Sequence, residues 1–338
     1  MQIVSNSAHI IQAFDHVWAD CAAGTRPTPV QPLLSCSILV SADSPIALLR
    51  LRSPAPLLLA DILRFQLKYV FLGDARKCVE IDPPADGWRG FATIAEPDRP
   101  IMLARGNAAL VDLNPERLWV VRNCLVAATL RLQPAIIAVH AGSAAIEGQG
   151  VLFVGPSGSG KTTLALAMAA RGHDCFGDNV AIVRPASGEL LPFRRIGYVR
   201  TGPRAAALDA LLQARGAVPD CAADHPDEEP RIPLRIRQFF PGCEDRAVKL
   251  RHVFFLRGTA ESTAVAAIDL GFDGFDDLLR PMTFDGVVAP SWGATTGDWV
   301  MRHLRLVDAF RKVRCYHLVA GPPDEAADSI ERIVLEDC

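Results

Sequence analysis

The rhythm of apolar and polar positions changes near Pro134. Before it, short apolar runs alternate with polar turns: Cys36 to Val40 predicts a strand, Trp88 to Leu113 a set of short strands, and Ala8 to Cys21 a short helix. Pro115 opens a longer helical pattern, PERLWVVRNCLVAATLRLQ, which Pro134 ends. From Ala135 the sequence reads as a strand (AIIAV), a small-residue stretch, a Gly turn around Gly148 to Gly150, and a buried strand ending in VLFV. Beyond it come a helix from about Gly160 to Ala170, one strand in HDCFGDNVAIVRP and a hairpin in ASGELLPF turning at Gly188. A helix over Arg204 to Ala214, a strand over Lys249 to Leu256, a helix over Asp298 to Lys312, a strand over Cys315 to Val319 and a terminal helix over Asp324 to Leu335 complete the pattern. The fold class expected is α/β. A central, largely parallel or mixed sheet with helices on its faces occupies 134–338, and a smaller mixed α+β domain occupies 1–133, with substrate binding as its candidate role.

Composition narrows the function classes. Of the 338 residues 50% are hydrophobic and 22% charged, which is ordinary for a globular chain and far from a disordered one. The net charge of -3 and the lack of a long basic run argue against a nucleic-acid partner. The first residues, MQIVSNSAHIIQAFD, do not resemble a signal peptide, and no run of eighteen apolar residues occurs, so a cytoplasmic protein without a membrane span is expected. Nine cysteines without a CxxC pair fit reduced core thiols rather than a disulfide frame or a structural metal site. The acidic, proline-containing stretch 219–231 reads as a surface loop.

The chemistry centres on GPSGSGKTT, behind VLFV and ahead of LALAMAARG. A glycine-rich loop between a buried strand and a helix is a phosphate cradle, in which backbone N–H groups and the positive end of the helix dipole converge on one anion. Gly155, Pro156, Ser157, Gly158, Ser159, Gly160, Lys161, Thr162 and Thr163 are therefore the expected nucleotide contacts. Lys161 would reach the β- and γ-phosphates and Thr162 would ligate Mg2+, so ATP and Mg2+ are the expected cofactors. Lys161 is one of five lysines among 35 basic residues, so it is not a by-product of composition.

No Asn-Lys-x-Asp or LSGGQ-like string occurs, and the apolar strand HVFFL is followed by Arg257 and Gly258, where a motor ATPase places a carboxylate. A kinase needs instead a carboxylate near the terminal phosphate to accept the proton of an attacking hydroxyl. Asp178 is the first candidate for that base and a candidate Mg2+ ligand, with Asp174 a weaker one and Asn179 a neutral neighbour. Arg194 and Arg195 could neutralise transferred phosphate or lie on a solvated face.

His140 before a small-residue segment, VLFVGPSGSGKTTLALAMAARGH and FGDNVAIV together resemble the catalytic core of the HPr kinase/phosphorylase superfamily. With GELLPFRR downstream, the look is that of its smaller relatives, the kinases that accompany ribosomally made peptides: lasso-peptide precursor kinases and those beside PqqD-like proteins. The likeness covers about 135 to 200 well and extends loosely to the C-terminus. It implies a P-loop kinase core of the HPr kinase C-terminal type, with Asp178 as general base, Lys161 on phosphate, Thr162 on Mg2+ and His140 orienting the reacting groups or relaying a proton. The implied reaction is ATP-dependent phosphorylation of a serine in a peptide or small protein, and the implied partner a PqqD-like peptide-binding protein. The HPr members assemble as oligomers, which leaves room for a homo-oligomer, although no residue of this chain marks an interface.

The chain departs from that family where two adjacent aspartates become Asp178-Asn179, and in lacking a clear later Mg2+-binding glutamate, for which Glu189 is the one candidate. Two other readings stay open: a kinase of a free small molecule such as serine, and a nucleotide-binding scaffold that has lost catalysis.

Overall fold

The computed structural model describes, of residues 1–134, seven strands and Gln133. Beyond them it describes 135–336 except for 157, 179, 195–196, 201–205, 217–230, 245, 269–282, 285–286 and 289–295. The chain forms two compact units, one of 1–17, 23–134 and 290–296, the other of 18–22, 135–289 and 297–338. The helices expected over Ala8 to Cys21 and from Pro115 lie outside the described residues, as does most of the acidic stretch 219–231.

In the first unit β1 (Gln2–Ser5), β2 (Ser35–Val40), β3 (Ile46–Arg52), β4 (Cys78–Ile81), β5 (Arg89–Thr93), β6 (Pro100–Arg105) and β7 (Ala108–Asp112) make one sheet. Its order is β1-β2-β3-β7-β6-β5-β4, antiparallel except for the β1–β2 pair.

The second unit is a central mixed sheet flanked by helices, an α/β architecture. Its strands are β8 (Ile137–Val139), β9 (Ala141–Ile146), β10 (Gln149–Val154), β11 (Asp174–Gly177), β12 (Ala181–Arg184), β13 (Glu189–Leu191), β16 (Val248–Thr259), β17 (Ala264–Ile268) and β20 (Arg314–Ala320). Two separate ribbons are β14 (Gly197–Arg200) with β15 (Arg231–Leu234), and β18 (Thr283–Phe284) with β19 (Val287–Val288). The helices are α1 (Lys161–Ala170), α2 (Ala206–Gln213), α3 (Ile236–Phe239), α4 (Thr296–Phe310) and α5 (Pro323–Glu336).

The long β16 organises the sheet. Along one edge it pairs in parallel with β10, and β9 and β11 follow beyond β10 in antiparallel pairing. Along its other edge it meets β13 near its start and β20, in parallel, further on. The continuous apolar run of β10 is explained by cover on both sides. Val151 and Phe153 belong to a core shared with Leu164, Met168, Ile330 and Val334, while Leu152 and Val154 face a second core with Phe176, Leu306 and Phe310. Helix α5 shows the matching one-sided pattern, burying Ala326, Ala327, Ile330 and Val334. At the far end of α1, Arg171 and His173 reach Asp328 and Glu331 of α5.

Two sequence expectations are corrected. The small-residue stretch AGSAAI is a strand, β9, buried at all six positions. Its residues are small because α1 lies directly over it: a Cβ on Gly142 would come within 2.8 Å of the Lys161 carbonyl oxygen. The turn that follows, with positive φ at Glu147 (46°) and Gly148 (76°), is a two-residue hairpin from β9 to β10. The single strand expected in HDCFGDNVAIVRP is two, β11 and β12, because the chain leaves its pairing with β9 at Gly177 and turns at Asp178, whose carbonyl accepts from the Val180 N–H at 2.7 Å. Gly142→Ala is expected to cost about 1–3 kcal/mol, the usual penalty of overpacking against backbone, and an unchanged urea midpoint would refute that close approach.

Candidate functional site

The cradle is assembled where β10 ends. β10 hands the chain to Gly155, and α1 begins at Lys161 from Gly160, whose φ of 97° is a conformation a side chain would strain. Helix α1 has no side-chain cap and no acidic residue in its first turn, so its positive end is left to whatever lies before it. Lys161 is buried, at 5% exposure, and its ammonium donates to the carbonyls of Gly155 (2.9 Å) and Pro156 (2.8 Å). It thus ties the start of the loop to the start of the helix.

Asp178 arrives from the other side of β9. β11 pairs with β9, Gly177 stands opposite Ser143, and the Ser143 hydroxyl donates to the Gly177 carbonyl at 3.4 Å. This holds the turn so that the Asp178 carboxylate, 1% exposed, meets the first turn of α1. The Thr162 hydroxyl donates to its Oδ1 at 2.6 Å. Residues 16 apart in sequence are thereby joined, and the two expected Mg2+ ligands share one hydrogen bond. His140 is buried, at 6%, and directly precedes Ala141, which pairs with Val154; the register sets it at the root of the loop. Thr163 follows on α1, half-buried. Ser157 and Asn179 lie outside the described residues.

The loop's own atoms fit a nucleotide phosphate. Among the described residues the buried Ser159 hydroxyl has no hydrogen-bond partner, an orphaned polar atom within the loop that suits a bound anion. Among the described residues no three His, Cys, Asp or Glu side chains cluster for a metal. A Mg2+ here would rest on Thr162, Asp178, phosphate oxygens and water, which suits an ion that dehydrates reluctantly.

Three residues weighed from sequence stand elsewhere. Asp174 sits at the opposite end of β11 and accepts from the Glu244 N–H at 2.7 Å. Glu189 lies across from Lys249, level with Gln149 at the start of β10 and so at the far end of the sheet from the loop. It accepts from Ser187 (2.7 Å) and Arg184, two contacts that hold its carboxyl below the usual range. Arg194 is neither solvated nor surface-borne: at 1% exposure it donates to the carbonyls of Cys175 (2.7 Å) and Glu244 and stacks over Phe176. Arg195 lies outside the described residues. Arg194→Met should strand the buried Cys175 carbonyl and release the Glu244 one, costing about 1–3 kcal/mol in urea unfolding, whereas a loss of phosphate binding at unchanged stability would contradict a structural role.

Sequence reasoning missed Gly142 and Ser143, the two positions that let β9 carry α1 on one side and the Asp178 turn on the other. Nothing in a run of small residues distinguishes such a strand from a loop. Beside them Cys175 is a free, fully buried thiol whose ionisation is pushed well up by burial first, then by Cys243 and Asp178, so it is chemically quiet. Among the described residues no helix is long and apolar enough to cross a membrane.

No family model and no curated protein matches the chain. Among solved structures it is similar to the Hpr(Ser) kinase/phosphatase from Coxiella burnetii, with 12% identity, 59% of this chain and 95% of that chain covered, and a TM-score of 0.28. A likeness that loose carries no argument about chemistry, which rests on the geometry above.

Proposed function

We propose that this chain is an ATP-dependent kinase that transfers the γ-phosphoryl group to a hydroxyl, that of a serine in a peptide or small protein. The observation that carries the reading is the 2.6 Å hydrogen bond from Thr162 to Asp178, a buried carboxylate held against the first turn of a phosphate-loop helix. Bound ATP would supply the phosphoryl group, and Mg2+, which Thr162 and Asp178 would hold, would offset the negative charge of the phosphates.

The chain's own residues divide the remaining work. Backbone N–H groups of 155–163 and the α1 dipole hold the phosphates, and Lys161, already pinned at the loop, neutralises the terminal one. Asp178 accepts the proton of the attacking hydroxyl as its oxygen bonds to phosphorus and the bond to the β–γ bridging oxygen breaks, releasing ADP. His140, at the root of the loop, orients those groups. Arg257 in place of a water-activating carboxylate favours transfer over hydrolysis.

By the resemblance drawn from sequence, the acceptor belongs to a ribosomally made precursor peptide, delivered by a PqqD-like protein in the cytoplasm. Incubation with γ-labelled ATP, Mg2+ and the peptide encoded beside the gene should label the peptide and leave free serine unlabelled. Labelling of free serine would favour a small-molecule kinase, and tight ATP binding without transfer to any hydroxyl would favour a scaffold.

A further inference from the structure

Arg257 occupies a place in the fold for which the reaction described so far names no contact with the phosphate. β16 runs beside β10 with Phe255 opposite Val154, so the next residue, Leu256, lies flush with the root of the phosphate loop. A Cβ on Gly155 would stand 3.0 Å from Leu256 Cβ, and one on Gly160 would lie 3.8 Å from Leu256 Cδ2, so the loop wraps this leucine from both ends. The residue after Leu256 emerges at the same edge of the sheet as the loop, one strand spacing of about 4.8 Å from β10.

At that point the ladder breaks. Between β16 and β20, Leu256 pairs with Leu318 and Gly258 with Val319, which leaves Arg257 as an extra residue in a β-bulge. Bulges in parallel pairs are rare, and they gather next to active sites, where they re-aim a side chain. Gly258, with φ of 143°, takes the backbone conformation that lets the strand resume. The bulged residue is an exposed arginine whose Nη2 donates to His317 Nε2 at 2.8 Å. An arginine is always a donor, so His317 accepts at Nε2 and holds the guanidinium by one of its five N–H groups. Across the sheet the order is then β11 and its Asp178 turn, β9, β10 with the loop, β16 with Arg257, and β20 with His317. The turn that carries Asp178 thus lies to one side of the loop's strand and the strand that carries Arg257 to the other.

Resting on the kinase reading above, we propose that Arg257 is a γ-phosphate ligand, carried by the bulge to the phosphate's side opposite Asp178 and steered by His317. There it withdraws negative charge from the oxygens of the transferring group, in the position where a hydrolase carries a carboxylate that holds Mg2+ and activates water. A planar fork suits a phosphoryl group with spread charge, and a cation cannot activate water as a base.

The test is equilibrium binding of ATP and of ADP, each with Mg2+, to the full chain and to Arg257→Ala and His317→Ala. Arg257→Ala should lose about tenfold or more in ATP affinity, the scale of one charge-assisted contact, with ADP affinity little changed. His317→Ala should show the same selective loss in smaller degree. Retained ADP binding also reports that the loop is folded. Equal losses for both nucleotides, or none for either, would overturn the assignment of Arg257 while leaving the phosphate loop intact. Wild-type protein that binds neither nucleotide would instead remove the kinase reading, and this assignment with it.

Discussion

Asp178→Asn is expected to slow phosphoryl transfer by about 10²- to 10⁴-fold, the range that general base catalysis contributes, while ATP affinity stays within about threefold, under 1 kcal/mol. The substitution is nearly isosteric. An amide oxygen can still accept the Thr162 hydroxyl that now donates to Oδ1 at 2.6 Å, so the turn and the first turn of α1 should keep their places. What an amide cannot do is take a proton from an attacking alcohol. Single-turnover label transfer gives the first number and titration with ATP the second. Transfer at the wild-type rate would remove Asp178 as the base; equal losses in binding and rate would reduce it to a Mg2+ ligand or a brace for the helix.

Lys161→Ala is expected to act on the other quantity. Losing one charged hydrogen bond to phosphate costs about 1.5–3 kcal/mol, or about 10- to 100-fold in ATP affinity. The same ammonium bridges the carbonyls of Gly155 and Pro156, so its removal also loosens the loop. Lys161→Arg should not restore binding: a planar guanidinium is too large for a site 5% exposed and built around a point charge. Isothermal titration of the two variants decides this, and unaltered affinity in Lys161→Ala would mean that phosphate binds elsewhere.

The two halves of the site differ in how openly the sequence declares them. The loop is local: strand, glycines, Lys161 and Thr162 are contiguous, so their spacing alone announces the chemistry. Asp178 is brought in by β9 and β11, and whether a carboxylate 16 residues past Thr162 returns to it depends on a strand of small residues that has no strong periodicity. The central sheet was legible where strands carry an unbroken apolar run, VLFV in β10 and VFFL in β16. It was not legible at β9, where close approach by α1 selects glycine, alanine and serine, nor at the turn that splits β11 from β12. Charge misled in both directions. Arg194 looks like a surface group but is buried and spent on backbone carbonyls, that of Cys175 within the core, and Glu189 looks like a metal ligand but is held by Ser187 and Arg184 at the wrong end of the sheet. Side-chain type gives no sign of which end of a strand will face the loop.

The account reduces to the position of one phosphorus atom. A crystal structure of the chain with Mg2+ and a non-hydrolysable ATP analogue should place the terminal phosphate against the Lys161 ammonium, with an acceptor or water oxygen beside it within hydrogen-bond reach of Asp178, about 3 Å. A terminal phosphate lying on the far side of the loop from Asp178, with that carboxylate turned only toward Thr162 and shut off from any incoming oxygen, would contradict it.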